Sequence, residues 1–176
     1  MKTLANRENL NVEFTGVDSS ERAVEFAKRQ AAKSDTAVKF KVMDVLKDPS
    51  DQKFDVVMCS LFLHHLTESE AKALLHRMHR YARSLILVND LRRSFWGWML
   101  AHLVTRLVTR SDVVHQDGPQ SVRAAFSIKE ASEFARQVGI SDLNVERRWP
   151  FRFLLSGKSA DAGRTSGVGS KPIDEV

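Results

Sequence analysis

With 176 residues and 43% apolar content, the chain has material for one ordinary domain and its core, and too little for two. Its net charge of +5 comes from short clusters such as Arg92-Arg93 and Arg147-Arg148, without a basic tail or a nucleic-acid fingerprint. The single cysteine, Cys59, excludes an internal disulfide and fits a reducing cytoplasm, and neither a signal-peptide core nor a bilayer-length apolar run is present.

In chain order, Val12-Glu13-Phe14-Thr15-Gly16-Val17 alternates apolar and polar residues and predicts a strand. A helix follows, capped by Asp18 or Ser19, with Ala23, Ala27 and Ala31 recurring at spacing four beside Phe26. Val38 to Val42 alternates again, and a loop forms around Pro49. Phe54 to Cys59 is nearly continuous in apolar residues, as in a parallel strand buried on both faces, which makes Cys59 a small buried hydrophobe rather than a nucleophile. Thr67-Glu68-Ser69-Glu70 is a capping box for a helix whose inner face is Ala71, Leu74, Leu75 and Met78.

Leu85 to Val88 predicts another buried strand, closing on Asn89-Asp90. A tryptophan-containing helical segment runs roughly from Phe95 to Val108. Ser127-Ile128-Lys129-Glu130 is a second capping box, opening a helix that carries Ala131, Phe134, Ala135 and Val138 and ends at Gly139. Leu143 to Glu146 and Phe151 to Leu155 predict an antiparallel hairpin turned at Pro150. From Gly157 onward apolar residues vanish, so residues 1–157 form the domain and 158–176 a disordered tail. Alternating strands and helices predict an open α/β sheet with its site at the strand C-termini.

The segment Phe54-Asp55-Val56-Val57-Met58-Cys59-Ser60-Leu61-Phe62-Leu63-His64-His65-Leu66 ends an apolar run in a small polar residue, a His-His pair and a helix start. Read with Val17-Asp18-Ser19-Ser20 and Val42-Met43-Asp44-Val45, it resembles the class I S-adenosylmethionine-dependent methyltransferases. The resemblance implies a Rossmann-like sheet with helices on both faces, S-adenosyl-L-methionine as cofactor, and no metal. It implies that Asp18, beside Ser19, accepts the ribose hydroxyls; on the residues alone, Asp18 serves equally as a helix cap. Asp44 would accept the adenine amine with Val45 packed on the ring, against the plainer reading of a loop aspartate. Ser60 and Leu61 would run beside the methionine part of the cofactor. His64 and His65 are candidate general bases for a hydroxyl nucleophile, because histidine titrates near cellular pH; packing near a helix start is the competing reading.

The second half, with Asp90, Arg92, His115 and Arg123 as candidate substrate contacts, more faintly resembles the ubiquinone-biosynthesis-like group (methyltransferase types 11–12). That implies O-methylation of a small hydrophobic, hydroxyl-bearing acceptor. Phe95, Trp96, Trp98, Met99, Leu103 and Leu107 would wall its pocket, make a peripheral membrane contact, or form an inner helix face. Nucleic acid is not an expected partner; a homo-oligomer is left open.

One family element is missing. The glycine-rich turn belongs about 20 residues before the ribose-binding acid, yet only seventeen residues precede Asp18 and Gly16 is the first glycine. The chain therefore reads as N-terminally truncated, lacking the first strand and glycine loop, with Leu4 to Asn9 as the end of the helix after that loop. Removing the first strand would leave two strands on one side and four on the other, with unpaired edges. An inactive remnant acting only as a protein-binding module is the alternative function. A nicotinamide-binding half-domain fits less well, since it has no use for Asp44 or the His64-His65 segment.

Overall fold

The computed structural model describes residues 12–34, 38–93 and 125–159. They form two compact units, divided between Ser50 and Asp51, and the strands form two separate ladders, one of two strands and one of four. Leu4 to Asn9, the segment from Phe95 to Val108, His115, Arg123 and the tail from residue 160 lie outside the described residues.

The first unit is a single β-α-β turn. Strand β1 (Phe14–Asp18) pairs in parallel with β2 (Val38–Val42), Asp18 standing opposite Val42, and helix α1 (Glu21–Lys33) connects them. Ser20 caps α1, its Oγ accepting from the Ala23 N–H, so the cap lies one residue beyond the predicted Asp18 or Ser19. Two of the three alanines share the inner face: Ala27 and Ala31 are half-buried beside the buried Val24, while Ala23 and Phe26 are exposed. The spacing rule found the helix and most of its inner face, and missed Val24.

The second unit carries nearly all of the core. Strand β3 (Phe54–Ser60) leads through a single 3-10 turn (Leu63–His65) into α2 (Glu68–Tyr81), which passes directly into β4 (Ala82–Leu91). Helix α3 (Ile128–Gln137), β5 (Ser141–Arg148) and β6 (Arg152–Lys158) follow. The ladder order is β3-β4-β6-β5; β3 and β4 are parallel, and β6 lies antiparallel between β4 and β5. Both predicted capping boxes are formed, at Thr67 with Glu70 and at Ser127 with Glu130. Ala71, Leu74, Leu75 and Met78 of α2 pack with Ala131, Phe134 and Ala135 of α3 and with Ile86, Val88, Phe153 and Leu155 of the sheet into the buried core.

Two expectations are corrected here. Among the described residues β3 pairs only with β4, and Val56 and Met58 are about half exposed, so it stands there as an edge strand rather than one buried on both faces. The ordered chain also runs past residue 157: β6 includes Lys158, and Ser159 is buried with its N–H donating to the Ser84 carbonyl and its Oγ to the His79 carbonyl. Gly157 permits this close approach, since a Cβ there would stand 2.4 Å from Ile140 Cγ2.

Candidate functional site

In the first unit the parallel register brings Asp18 and Asp44 to the same end of the ladder. Asp18 ends β1, and its carbonyl accepts from the Met43 N–H at 2.9 Å, which ties the Asp18 turn to the segment leading into Asp44. Asp18 Oδ1 accepts from the Ser20 N–H at 2.8 Å, and Oδ2 has no partner among the described residues. That turn uses one carboxylate oxygen to start the helix and leaves the other open on an exposed side chain. Ser19, also exposed, lies within the same turn.

Asp44 is more fully engaged. Its Oδ1 accepts from the Leu46 N–H at 3.0 Å, its Oδ2 lies 3.2 Å from Lys47 Nζ, and its own N–H donates to Asp48 Oδ2 at 2.7 Å. The Leu46 N–H, followed by Lys47, holds its carboxyl below the ordinary aspartate value. Val45, half-buried, follows directly.

In the second unit the site is built around the residue pair closing β4. Ser60 and Leu61 are exposed at the end of β3; Asn89 Nδ2 donates to Ser60 Oγ at 3.1 Å, and the Leu61 N–H donates to the Asn89 carbonyl. Leu61 then turns into the left-handed region at φ 53°, a costly conformation for a leucine that the surrounding bonds must hold. Asp90 supplies most of that hold. Only 1% exposed, it accepts the Phe62 and Leu63 N–H groups on Oδ2 at 2.9 and 2.7 Å. Its Oδ1 takes the Leu91 N–H and His64 Nδ1, each at 2.6 Å. One carboxylate thus fixes the whole turn from Phe62 to His64.

Burial alone would raise the Asp90 carboxyl, but the hydrogen bonds from His64, Leu91 and Leu63 outweigh it and hold it below its ordinary value. A carboxylate acceptor requires Nδ1 of His64 to carry its proton, which in the neutral ring leaves Nε2 as the acceptor. His64 is buried and stacks at 4.0 Å on His65, which is exposed. Burial, reinforced by the Asp90 charge, pushes the Cys59 thiol up to about 12, so it stays protonated and non-nucleophilic at neutral pH.

Of the candidate substrate contacts, Asp90 spends both oxygens on its own chain, and Arg92 is half-buried with its Nε unpartnered. His115 and Arg123 fall outside the described residues. Sequence reasoning missed Asn89 and the anchoring role of Asp90. The available signal was an Asn-Asp pair closing a buried strand beside a turn rich in free N–H groups. Among the described residues no cluster of His, Cys, Asp and Glu could hold a metal, and no helix is long and apolar enough to cross a membrane.

Residues 1–84 match the family described as a methyltransferase domain. No curated protein matches the sequence. Among solved structures the fold is similar to PigF with S-adenosylhomocysteine, at 11% identity and a TM-score of 0.64, over 90% of this chain and 51% of that one. It is similar to the magnesium protoporphyrin IX methyltransferase of Synechocystis, also solved with bound S-adenosylhomocysteine, at 18% identity and a TM-score of 0.62, over 90% and 68%. The plantazolicin methyltransferase BpumL gives 13% identity and a TM-score of 0.65, over 90% and 71%. The chain spans about half the length of PigF, and what it shares with all three at these identities is the fold. Residues 1–84 thus resemble a methyltransferase domain, and the fold is the one seen in S-adenosylmethionine-dependent methyltransferases.

Proposed function

We propose that this chain carries the cofactor-binding strand ends of an enzyme that transfers a methyl group from S-adenosylmethionine to a small, hydrophobic, hydroxyl-bearing acceptor. The observation that carries the reading is the pair of carboxylates, Asp18 and Asp44, at the C-terminal ends of adjacent parallel strands. The open oxygen of Asp18 suits a ribose hydroxyl, and Asp44 with Val45 suits an adenine edge and face. Ser19 lies beside the first of these. Ser60 and Leu61 present backbone at the end of β3 for the aminoacyl part of the cofactor.

The bound cofactor supplies a sulfonium-activated methyl group. The protein's part is then to align the acceptor and, for a hydroxyl, to take its proton. His65 is the exposed imidazole for that role. His64 serves it from behind, its tautomer set by Asp90.

Calorimetric titration of S-adenosylmethionine and S-adenosylhomocysteine into the folded protein tests the reading. Micromolar binding, weakened at least tenfold (about 1.4 kcal/mol) by Asp18→Ala with an unchanged circular dichroism spectrum, is the expected outcome. Equal affinity in the Asp18→Ala protein removes the ribose assignment, and no binding by the folded chain removes the proposal for this chain alone.

A further inference from the structure

We propose that the end of the four-stranded sheet where β5 turns into β6 docks on an anionic phospholipid bilayer. The turn projects Trp149, which is 93% exposed, far more than any other large apolar side chain among the described residues. Around it stand five arginines. Arg147 and Arg148 end β5, and Arg152 opens β6 directly opposite Arg148 in the antiparallel register. Arg92 and Arg93 join them from β4, because Leu91 pairs with Arg152 and the Arg92 N–H donates to the Phe151 carbonyl at 2.8 Å.

Only two carboxylates answer this charge. Glu146 lies 2.6 Å from Arg148, and Glu130 lies 3.4 Å from Arg93. Arg92, Arg147 and Arg152 have no acidic partner among the described residues, so the end of the sheet that carries the exposed indole has a surplus of three positive charges. Arg148 faces Arg152 across the ladder, and Glu146 neutralises only the first of this like-charge pair. The buried Nε of Arg92 lacks a hydrogen-bond partner as well.

An anionic bilayer answers each of these features. Headgroup phosphates meet guanidinium groups, and a tryptophan at the tip of a projecting turn sits at the headgroup–acyl boundary. A nucleic-acid strand fits less well, since single strands are held by successive stacking aromatics along a groove and this turn offers one indole. The inference stands apart from methyl transfer: its test needs no cofactor or acceptor, and neither proposal falls with the other.

The test is co-sedimentation of the full chain with vesicles of phosphatidylcholine alone and of phosphatidylcholine mixed with phosphatidylglycerol, at low and high salt. Binding about tenfold stronger to the anionic vesicles, released by salt, is expected, with a further loss of about tenfold in Arg147→Glu. A Trp149→Phe protein keeps the ring and guards against misfolding. It should lose most of the blue shift in tryptophan emission that anionic vesicles induce in the parent chain. Equal binding to both vesicle types, no binding, full binding by folded Arg147→Glu, an undiminished blue shift in Trp149→Phe, or displacement from vesicles by single-stranded DNA would each overturn the proposal.

Discussion

The two units use the same building rule, strand to helix to parallel strand, and end with very different cores. Among the described residues of the first, one apolar side chain, Val24, is buried, while Val17, Phe26 and Val42 are each 46–58% exposed. The second buries Leu63, Leu74, Leu75, Met78, Ile86, Val88, Phe134, Phe153 and Leu155, each less than a tenth exposed. A single β-α-β turn can pair its strands and cap its helix without closing a hydrophobic interior. The second unit closes one because its sheet is four strands wide and two capped helices, α2 and α3, contribute to the same core. The binding carboxylates of the proposed function lie on the thinly packed unit, and the rigidly held histidine turn lies on the other.

The sharpest way to break this contrast is to open the larger core. Phe153→Ala, at a fully buried position of β6, should cost about 3–5 kcal/mol in denaturant unfolding, and a loss under 1 kcal/mol would mean the second unit is not the stable body described. Asp90→Ala should follow at about 3 kcal/mol, because it leaves the Phe62 and Leu63 N–H groups and His64 without their common acceptor. The pH dependence follows from the same carboxyl. Its folded value lies below the ordinary one near 4, so its contribution is complete above about pH 4 and is lost as pH falls through the folded value. An Asp90→Asn protein should therefore show a flatter acid limb in a plot of stability against pH.

Native-state hydrogen exchange sharpens the comparison further. Amides of β4 and β6 should exchange only through global unfolding, and those of β1, α1 and β2 through smaller openings. Equal protection in both units would contradict the burial pattern. The smallest effect is expected at the caps. Thr67→Ala should lower the free energy of the main unfolding transition by about 1 kcal/mol, whereas Ser20→Ala should leave that transition in place and raise exchange in α1 alone.

The legible parts of the sequence were those with local chemistry. Both capping boxes, the inner face of α2 and the hairpin at Pro150 are written in residues a few positions apart. The burial of β3 was not legible, because an apolar run reads the same at a sheet edge as at its centre and only the pairing partners decide. The face of α1 was partly legible: Ala27 and Ala31 lie on its covered side, but the spacing of alanines did not single out Val24, its most buried residue. At the site, Asp18 and Asp44 were found as strand-end acids. Asp90 was assigned outward to a substrate, since sequence separation hides that the N–H groups of Phe62 and Leu63 return to it. The bond from Asn89 to Ser60 was hidden in the same way.

Cys59 is the protein's only thiol, and it lies on β3, the edge strand of the larger sheet. Held protonated and half-covered, it should be silent toward alkylating reagents while β3 stays zipped to β4. The rate at which it takes up label is therefore a built-in clock for the peeling of that strand, and any ligand or partner that clamps the strand will slow it without a mutation or a dye.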